Sequence, residues 1–265
     1  MLAFADSFLA WLASTAIPAF VGLAVMTGAG RVVKPRYLVA FSLGIFFWFF
    51  IDTIGGSANL VVNLGFNGGL GQLVMVLLFA TGVILLLLVD VGTFSREVAG
   101  QTLDLRIPML VAIAVGVHGL GEGTAFGSTA ATTSSTSLLE AFGGLSAGVA
   151  YALHKALEPM IIGACYVAYS WVGGKKATSW LKDLLILTIL FVVPSLIGAA
   201  TGYFISYDAT YLFALGTGTS AYAALRLAKP LYSGSENTTS YESAKTGLWL
   251  VFGFICIYLA ALFHS

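Results

Sequence analysis

The sequence predicts an all-α, polytopic membrane protein with eight transmembrane helices in a single domain over residues 1–265. Two observations lead to this prediction: eight long apolar runs, and basic residues that alternate with them. Of the 265 residues, 58% are hydrophobic and 9% are charged, against about 25% charged in an ordinary soluble domain. So few charges cannot cover a water-facing surface of this size. The composition therefore argues against a soluble enzyme, a nucleic-acid binder and a disordered chain.

Each predicted helix is an apolar run of about 20 residues or more, the length that crosses a hydrocarbon core of about 30 Å. Backbone polar groups in lipid must be satisfied within the protein, which favours helices over strands of this length. The runs lie near residues 7–27, 37–55, 70–92, 107–127, 139–172, 184–206, 209–228 and 246–264. The fifth run covers about 34 residues, so we expect this helix to tilt or to project beyond the bilayer.

The basic residues predict the orientation of the chain. Eleven of the twelve fall in, or at the edges of, four loops that an eight-helix chain places on one face: Arg31, Lys34, Arg36, Arg96, Arg106, Lys175, Lys176, Lys182, Arg226, Lys229 and Lys245. By the positive-inside rule this face is cytoplasmic. The sequence therefore predicts a multi-pass protein of the cell membrane with both termini outside.

The charged residues on the opposite face are all acidic. Asp52 lies near the outer end of the second run, and Glu140 precedes the fifth helix in an outer loop. An anionic mouth would concentrate cations, so these two residues are candidates for an outer entrance. An equally good interpretation is that short polar loops contain a few acids by chance.

The twelfth basic residue, Lys155, lies inside the fifth run, where an ionisable group is costly and indicates a functional site. The segment LHKALEP (153–159) also supplies His154 and Glu158, and VHGLGEG (117–123) in the fourth run supplies His118 and Glu122. A His and a Glu four residues apart lie on one helix face, one turn apart.

Two such helices facing each other offer two imidazoles and two carboxylates, a plausible set of ligands for a divalent metal such as zinc. The alternative is a pair of buried polar contacts between helices. Because two of the three histidines have a Glu four residues later, in consecutive runs, we favour a metal site. Small residues allow close packing, so we expect the fourth helix to pack closely on the fifth through its glycine stripe, Gly116, Gly119, Gly123 and Gly127.

With these motifs the sequence resembles the ZIP (Zrt/Irt-like) family of divalent metal transporters. HGLGEG (118–123) is similar to the family's H-N-x-P-E-G, and HKALEP (154–159) to its H-x-x-x-E in the fifth helix. The resemblance implies movement of zinc, or of iron, manganese or cadmium, toward the cytoplasm through a metal centre between helices four and five. The ion is then the substrate, and no separate cofactor is expected. The expected partners are divalent metal ions and the lipid bilayer, with a homodimer as one option for assembly.

Three departures from the family pattern concern its second metal position. Gly119 replaces the bridging Asn, Lys155 replaces an acid or amide, and Val193 replaces an acid before the proline of the sixth helix. We therefore predict a mononuclear site with the Lys155 ammonium where a second cation would lie. We expect Lys155 to neutralise the empty site and to lower metal affinity so that the ion can leave. The alternative is a structural ion pair with Glu158, three residues away.

The sequence contains neither a Walker-type phosphate-binding loop nor a soluble ATPase domain, which favours a secondary carrier, passive or proton-coupled, that works by alternating access. Two alternatives remain open. The same ligands would serve an intramembrane zinc-dependent hydrolase. The second alternative is a ZIP-like homologue that no longer transports ions.

Overall fold

A computed structural model describes residues 3–57, 69–91, 105–132, 142–169, 177–205, 208–232 and 239–262. These residues form eight α-helices and no strands. The helices are α1 (Phe4–Ala29), α2 (Pro35–Ser57), α3 (Gly69–Val89), α4 (Arg106–Thr132), α5 (Leu145–Tyr169), α6 (Ala177–Phe204), α7 (Thr210–Tyr232) and α8 (Ser240–Leu262). The all-α prediction is confirmed, and each described helix overlaps one predicted run in chain order.

The fifth helix differs from its prediction. Its described part covers 25 residues, and it begins only at Leu145 rather than near residue 139. Gly143 and Gly144, directly before it, have φ angles of +80° and +102°. Glycine adopts this left-handed region at little steric cost, and such residues interrupt a right-handed helix. The apolar run in the sequence therefore begins before the helix that it forms.

Four of the described helices, α1, α4, α6 and α8, are long and apolar enough to cross a membrane. Shorter apolar stretches occur in α2 (Pro35–Ile51) and α3 (Leu73–Val89). These properties are consistent with a membrane protein. That all eight helices cross the bilayer stays a prediction.

The helices pack in two groups of four. In one group α4 contacts α6 along most of its length, and α1 packs against α5 and α6. In the other group α2 packs against α7 and α8, and α3 packs against α7. The groups meet where α4 contacts α7 and where α2 contacts α5. The two helices that carry the predicted metal ligands, α4 and α5, therefore belong to one group and face the other.

The glycine stripe of α4 packs against α6, not against α5, so the prediction of its partner is wrong. A Cβ added at Gly123 would lie 2.0 Å from the Ser195 carbonyl oxygen, and one at Gly127 would lie 2.2 Å from that of Ala199. Glycines of α6 likewise lie against the backbone of α4. A Cβ added at Gly198 would lie 2.2 Å from the Leu120 carbonyl oxygen. The stripe is complementary to small residues on α6, which bring the two backbones into contact.

Contacts between helix ends bring many basic residues to one end of the bundle, here called the basic end. Lys34 Nζ at the start of α2 lies 3.1 Å from Glu242 Oε1 at the start of α8. The Tyr169 hydroxyl, at the end of α5, donates a hydrogen bond of 2.8 Å to the Arg226 carbonyl near the end of α7. Arg226 Nε in turn lies 2.8 Å from Oδ2 of Asp90, just after α3. This arrangement agrees with the alternating positions of the basic residues in the sequence.

The α4–α6 interface can be tested by adding one methyl group. Gly123→Ala places a Cβ against backbone, so the helices must separate, and overpacking of this kind costs about 1–3 kcal/mol. We expect a lower melting temperature for purified Gly123→Ala in detergent. Gly28→Ala is the matched control, because a Cβ at Gly28 meets nothing within 4 Å. Equal melting temperatures for the two variants would contradict the assigned interface.

Candidate metal centre

The four predicted ligands lie in the interior, where α4 faces α5. His118 and Glu122 are one turn apart on α4, and His154 and Glu158 are one turn apart on α5. Glu158 is fully buried, His118 is 2% exposed and His154 is 7% exposed. The Glu122 side chain is 17% exposed. Helical periodicity therefore places both pairs on the facing surfaces, as the spacing predicted.

The imidazoles converge on the carboxylates. His154 Nε2 lies 2.9 Å from Glu158 Oε1 and 3.7 Å from Glu122 Oε1. His118 Nε2 lies 4.0 Å from the same Oε1 atom of Glu122. The two helices thus contribute to one cluster, in which Glu122 of α4 reaches His154 of α5.

The Lys155 ammonium contacts the Oε2 atom of both carboxylates. Its Nζ lies 2.7 Å from Glu158 Oε2 and also contacts Glu122 Oε2. The lysine is fully buried. A buried ammonium needs this pairing, because removal of a charge from water costs several kcal/mol. The ion pair between Lys155 and Glu158, which the sequence offered as the alternative role of the lysine, is present, and a second pair with Glu122 was not predicted.

The two oxygens of each carboxylate therefore have different neighbours. In both Glu122 and Glu158, Oε2 contacts the Lys155 ammonium and Oε1 faces an imidazole. The cluster has an ammonium side and an imidazole side. A metal ion on the imidazole side would not have to displace the lysine.

Donor atoms of three of the ligands lie almost close enough together to bind one metal ion. One donor atom each from His118, Glu122 and Glu158 lie within 4.8 Å of one another. Two ligands of one zinc ion lie at most about 4.2 Å apart, twice the metal–ligand distance. Side-chain shifts of about half an ångström would bring these donors into range. His154 adjoins the group through its contacts with both carboxylates.

Aromatic rings enclose the imidazoles. The Phe49 ring of α2 meets the His118 ring edge-on at a centroid distance of 4.7 Å, and the Phe213 ring of α7 lies 5.7 Å from it. Lys155 Nζ is 5.8 Å from the centroids of both Tyr151 and Phe191. Rings in these positions limit water around the charges and strengthen their interactions.

A cavity of about 380 Å³ reaches the cluster from the end of the bundle opposite the basic end. Among the described residues that line the cavity, one is charged, and this residue is Glu122. Aromatic rings form much of its wall: Trp11, Phe126, Phe142, Tyr151 and Phe213. The cavity therefore offers a route from this end of the bundle to the Glu122 carboxylate.

Sequence reasoning missed the residues that surround the ligands. The Trp11 indole donates a hydrogen bond of 2.9 Å to Ser195 Oγ, which links α1 to α6 beside the cluster. The sequence predicts no role for Ser195, which follows the proline of α6. Aromatic residues such as Phe213 carry no distinctive signal, because the chain contains 19 phenylalanines.

The predicted entrance residues are not described. Glu140 lies outside the described residues, and of Asp52 the structure describes the helical backbone but not the side chain. Asp208, an acid at the end of the bundle opposite the basic end, accepts a 2.9 Å hydrogen bond from the Thr210 backbone N–H at the start of α7. Hydrogen bonds from Thr210 hold the pKa of Asp208 below its usual range, so this carboxylate stays ionised at neutral pH.

A scan of the chain against protein-family models finds no match, and a search among curated proteins finds no matching sequence. The resemblance to the ZIP family therefore stays a prediction that depends on the two motifs and the helix count.

The contribution of the Lys155 ion pairs to stability can be tested by removing the ammonium. Lys155→Met leaves the buried Glu158 carboxylate and the partly buried Glu122 carboxylate without a cation, and loss of one partner from a buried pair costs about 3–5 kcal/mol. Lys34→Met is the control, because Lys34 is 69% exposed and a surface pair contributes about 1 kcal/mol or less. Thermal unfolding in metal-free detergent should show a much larger loss for Lys155→Met. Equal losses would mean that the lysine contributes little to stability.

Proposed function

We propose that this chain is a divalent metal transporter that carries zinc-like cations toward the cytoplasm by alternating access through one His/Glu site. The observation that carries the proposal is the buried convergence of His118, Glu122 and Glu158 donor atoms within 4.8 Å. These ligand types suit a borderline divalent cation such as zinc, with iron, manganese and cadmium as alternatives. The ion is the substrate, and no resident cofactor is proposed.

The surface of the helices supports a membrane location. Large apolar side chains are exposed on helix after helix, and among them are Val21, Leu88, Leu153, Leu225 and Leu248. Exposed apolar patches of this extent are costly in water and ordinary in lipid.

All eight helices cross the bilayer in this proposal, and the basic end is cytoplasmic by the positive-inside rule. Both termini are then outside, and the cavity beside Glu122 opens outward.

The split between the carboxylate oxygens supports a mononuclear site. In the proposed loaded state the metal binds the imidazole side, through Oε1 of Glu122 and Glu158, while Lys155 stays on the Oε2 atoms. With neutral imidazoles, the two carboxylates and one ammonium give the empty site a charge of −1 and the loaded site +1. Without the lysine these charges would be −2 and 0. The ammonium therefore weakens metal binding and promotes release.

Transport is the first test of the proposal. Proteoliposomes that contain the chain should take up radiolabelled zinc, and His118→Ala and Glu158→Ala should abolish this uptake because each removes a ligand. Glu242→Gln, which changes an acid at the basic end, should leave uptake unchanged. Metal binding without flux would instead favour the hydrolase or the non-transporting homologue, and no metal binding at all would refute the proposal.

The role assigned to the ammonium gives a separate prediction. Lys155→Ala should bind cadmium, a zinc substitute, about tenfold more tightly or better, because the repulsion between ammonium and metal is lost. Calorimetric titration of the purified protein measures the change, with Lys34→Ala as the control for a distant cation. Weaker binding by Lys155→Ala would show that the lysine organises the ligands rather than opposing the metal.

A further inference from the structure

We infer that the cavity beside Glu122 binds a small organic ammonium ion, with the Glu122 carboxylate as its counter-ion and aromatic rings as its wall. This site would lie outside the imidazole side of the cluster. It does not depend on the proposed metal transport, although both involve Glu122.

The volume and the lining of the cavity suit a small organic cation. Its volume of about 380 Å³ falls in the range of about 300–1,000 Å³ that is usual for small-molecule sites. An aromatic wall with a single carboxylate matches the recognition of quaternary ammonium groups, which bind over ring faces. A bare divalent ion prefers oxygen and nitrogen ligands and gains little from such walls.

The rings hold one another in place. Trp11 stacks on Phe126 at a centroid distance of 4.5 Å, and Phe126 stacks on Phe142 at 5.1 Å. Phe142 then meets Tyr151 at 5.6 Å, and Tyr151 meets Trp11 at 5.1 Å. Each ring thus contacts two others in a closed cycle, so the wall is formed before a ligand arrives. Preformed walls reduce the entropy lost on binding.

In the metal-free cluster, the residual charge is one that a monovalent cation can balance. Lys155 neutralises only one of its two carboxylate partners, Glu122 and Glu158, so a charge of −1 remains when the imidazoles are neutral. One monovalent cation brings this total to zero, so an ammonium bound here needs no further counter-charge. The protein already contains an ammonium group with a carboxylate and an aromatic ring as its neighbours. The Lys155 ammonium contacts Glu122 and lies 5.8 Å from the Tyr151 ring centroid.

The charge of this end of the bundle also favours cations. Asp6 at the start of α1 and Asp208 before α7 are acidic, and the described basic residues of the loops belong to the opposite end. Negative charge at this end of the bundle raises the local concentration of cations. An organic anion would meet repulsion at this end and at Glu122.

Choline, a quaternary ammonium, is a suitable probe for calorimetric titration of the full chain in detergent. Its neutral analogue, with carbon in place of the quaternary nitrogen, has the same shape without the charge. We expect choline to bind about tenfold more tightly than this analogue, a difference typical of cation–π and ion-pair recognition. No binding of choline, or equal binding of the two compounds, would overturn the inference.

Variants then locate the site. Phe142→Leu should weaken choline binding several-fold and Phe142→Trp should retain it, whereas Phe254→Leu, on α8 away from the cavity, should have no effect. Glu122→Gln should remove the preference for choline over its neutral analogue. If Phe142→Leu does not fold, Phe213→Leu replaces it. Choline binding that none of the cavity variants alters would place the ligand elsewhere and refute the inference.

Cadmium titration of the same wild-type preparation separates this inference from the proposed function. Cadmium binding without choline binding would refute only the ammonium site. Choline binding without cadmium binding would refute only the metal transporter.

Discussion

The buried ammonium of Lys155 is the constraint on which the rest of the site depends. A fully buried lysine is tolerated only with counter-charges at contact distance, and here Glu122 of α4 and Glu158 of α5 supply them. The pair with Glu122 joins α5 to α4, whereas the pair with Glu158 lies within α5. They also leave the cluster with an unbalanced negative charge, so the interaction that stabilises the helix pair is the same one that makes the site attractive to cations.

A second constraint is the division of α4 into two faces. Its glycines bring the backbone against α6, as the 2.0 Å approach of a Cβ at Gly123 to the Ser195 carbonyl shows. Its polar residues then face the remaining neighbours. A Cβ at Gly216 of α7 would lie 2.5 Å from the His118 Cα, so a glycine also admits α7 beside the ligand. Close packing on three sides holds His118 and Glu122 in defined positions.

The parts of the site that were predictable are those that local geometry determines. Residues three or four apart on a helix share a face, and this rule alone paired His154 with Glu158 and Lys155 with Glu158. The partner of the glycine stripe was predicted wrongly because small residues favour close packing without specifying the helix that approaches. The start of the fifth helix was predicted too early because hydropathy does not register the backbone angles of Gly143 and Gly144.

The sequence by itself determined the all-α class, the order of the eight helices and the four candidate ligands with their lysine, because apolar length and helical periodicity act over short stretches of chain. Only the tertiary structure decided that Lys155 contacts Glu122 across 33 positions of sequence, and that the carboxylate oxygens divide between an ammonium side and an imidazole side. It also decided that Trp11, Phe142 and Phe213 line one cavity. These relations depend on how separate helices approach one another, a property of shape complementarity that no single segment contains.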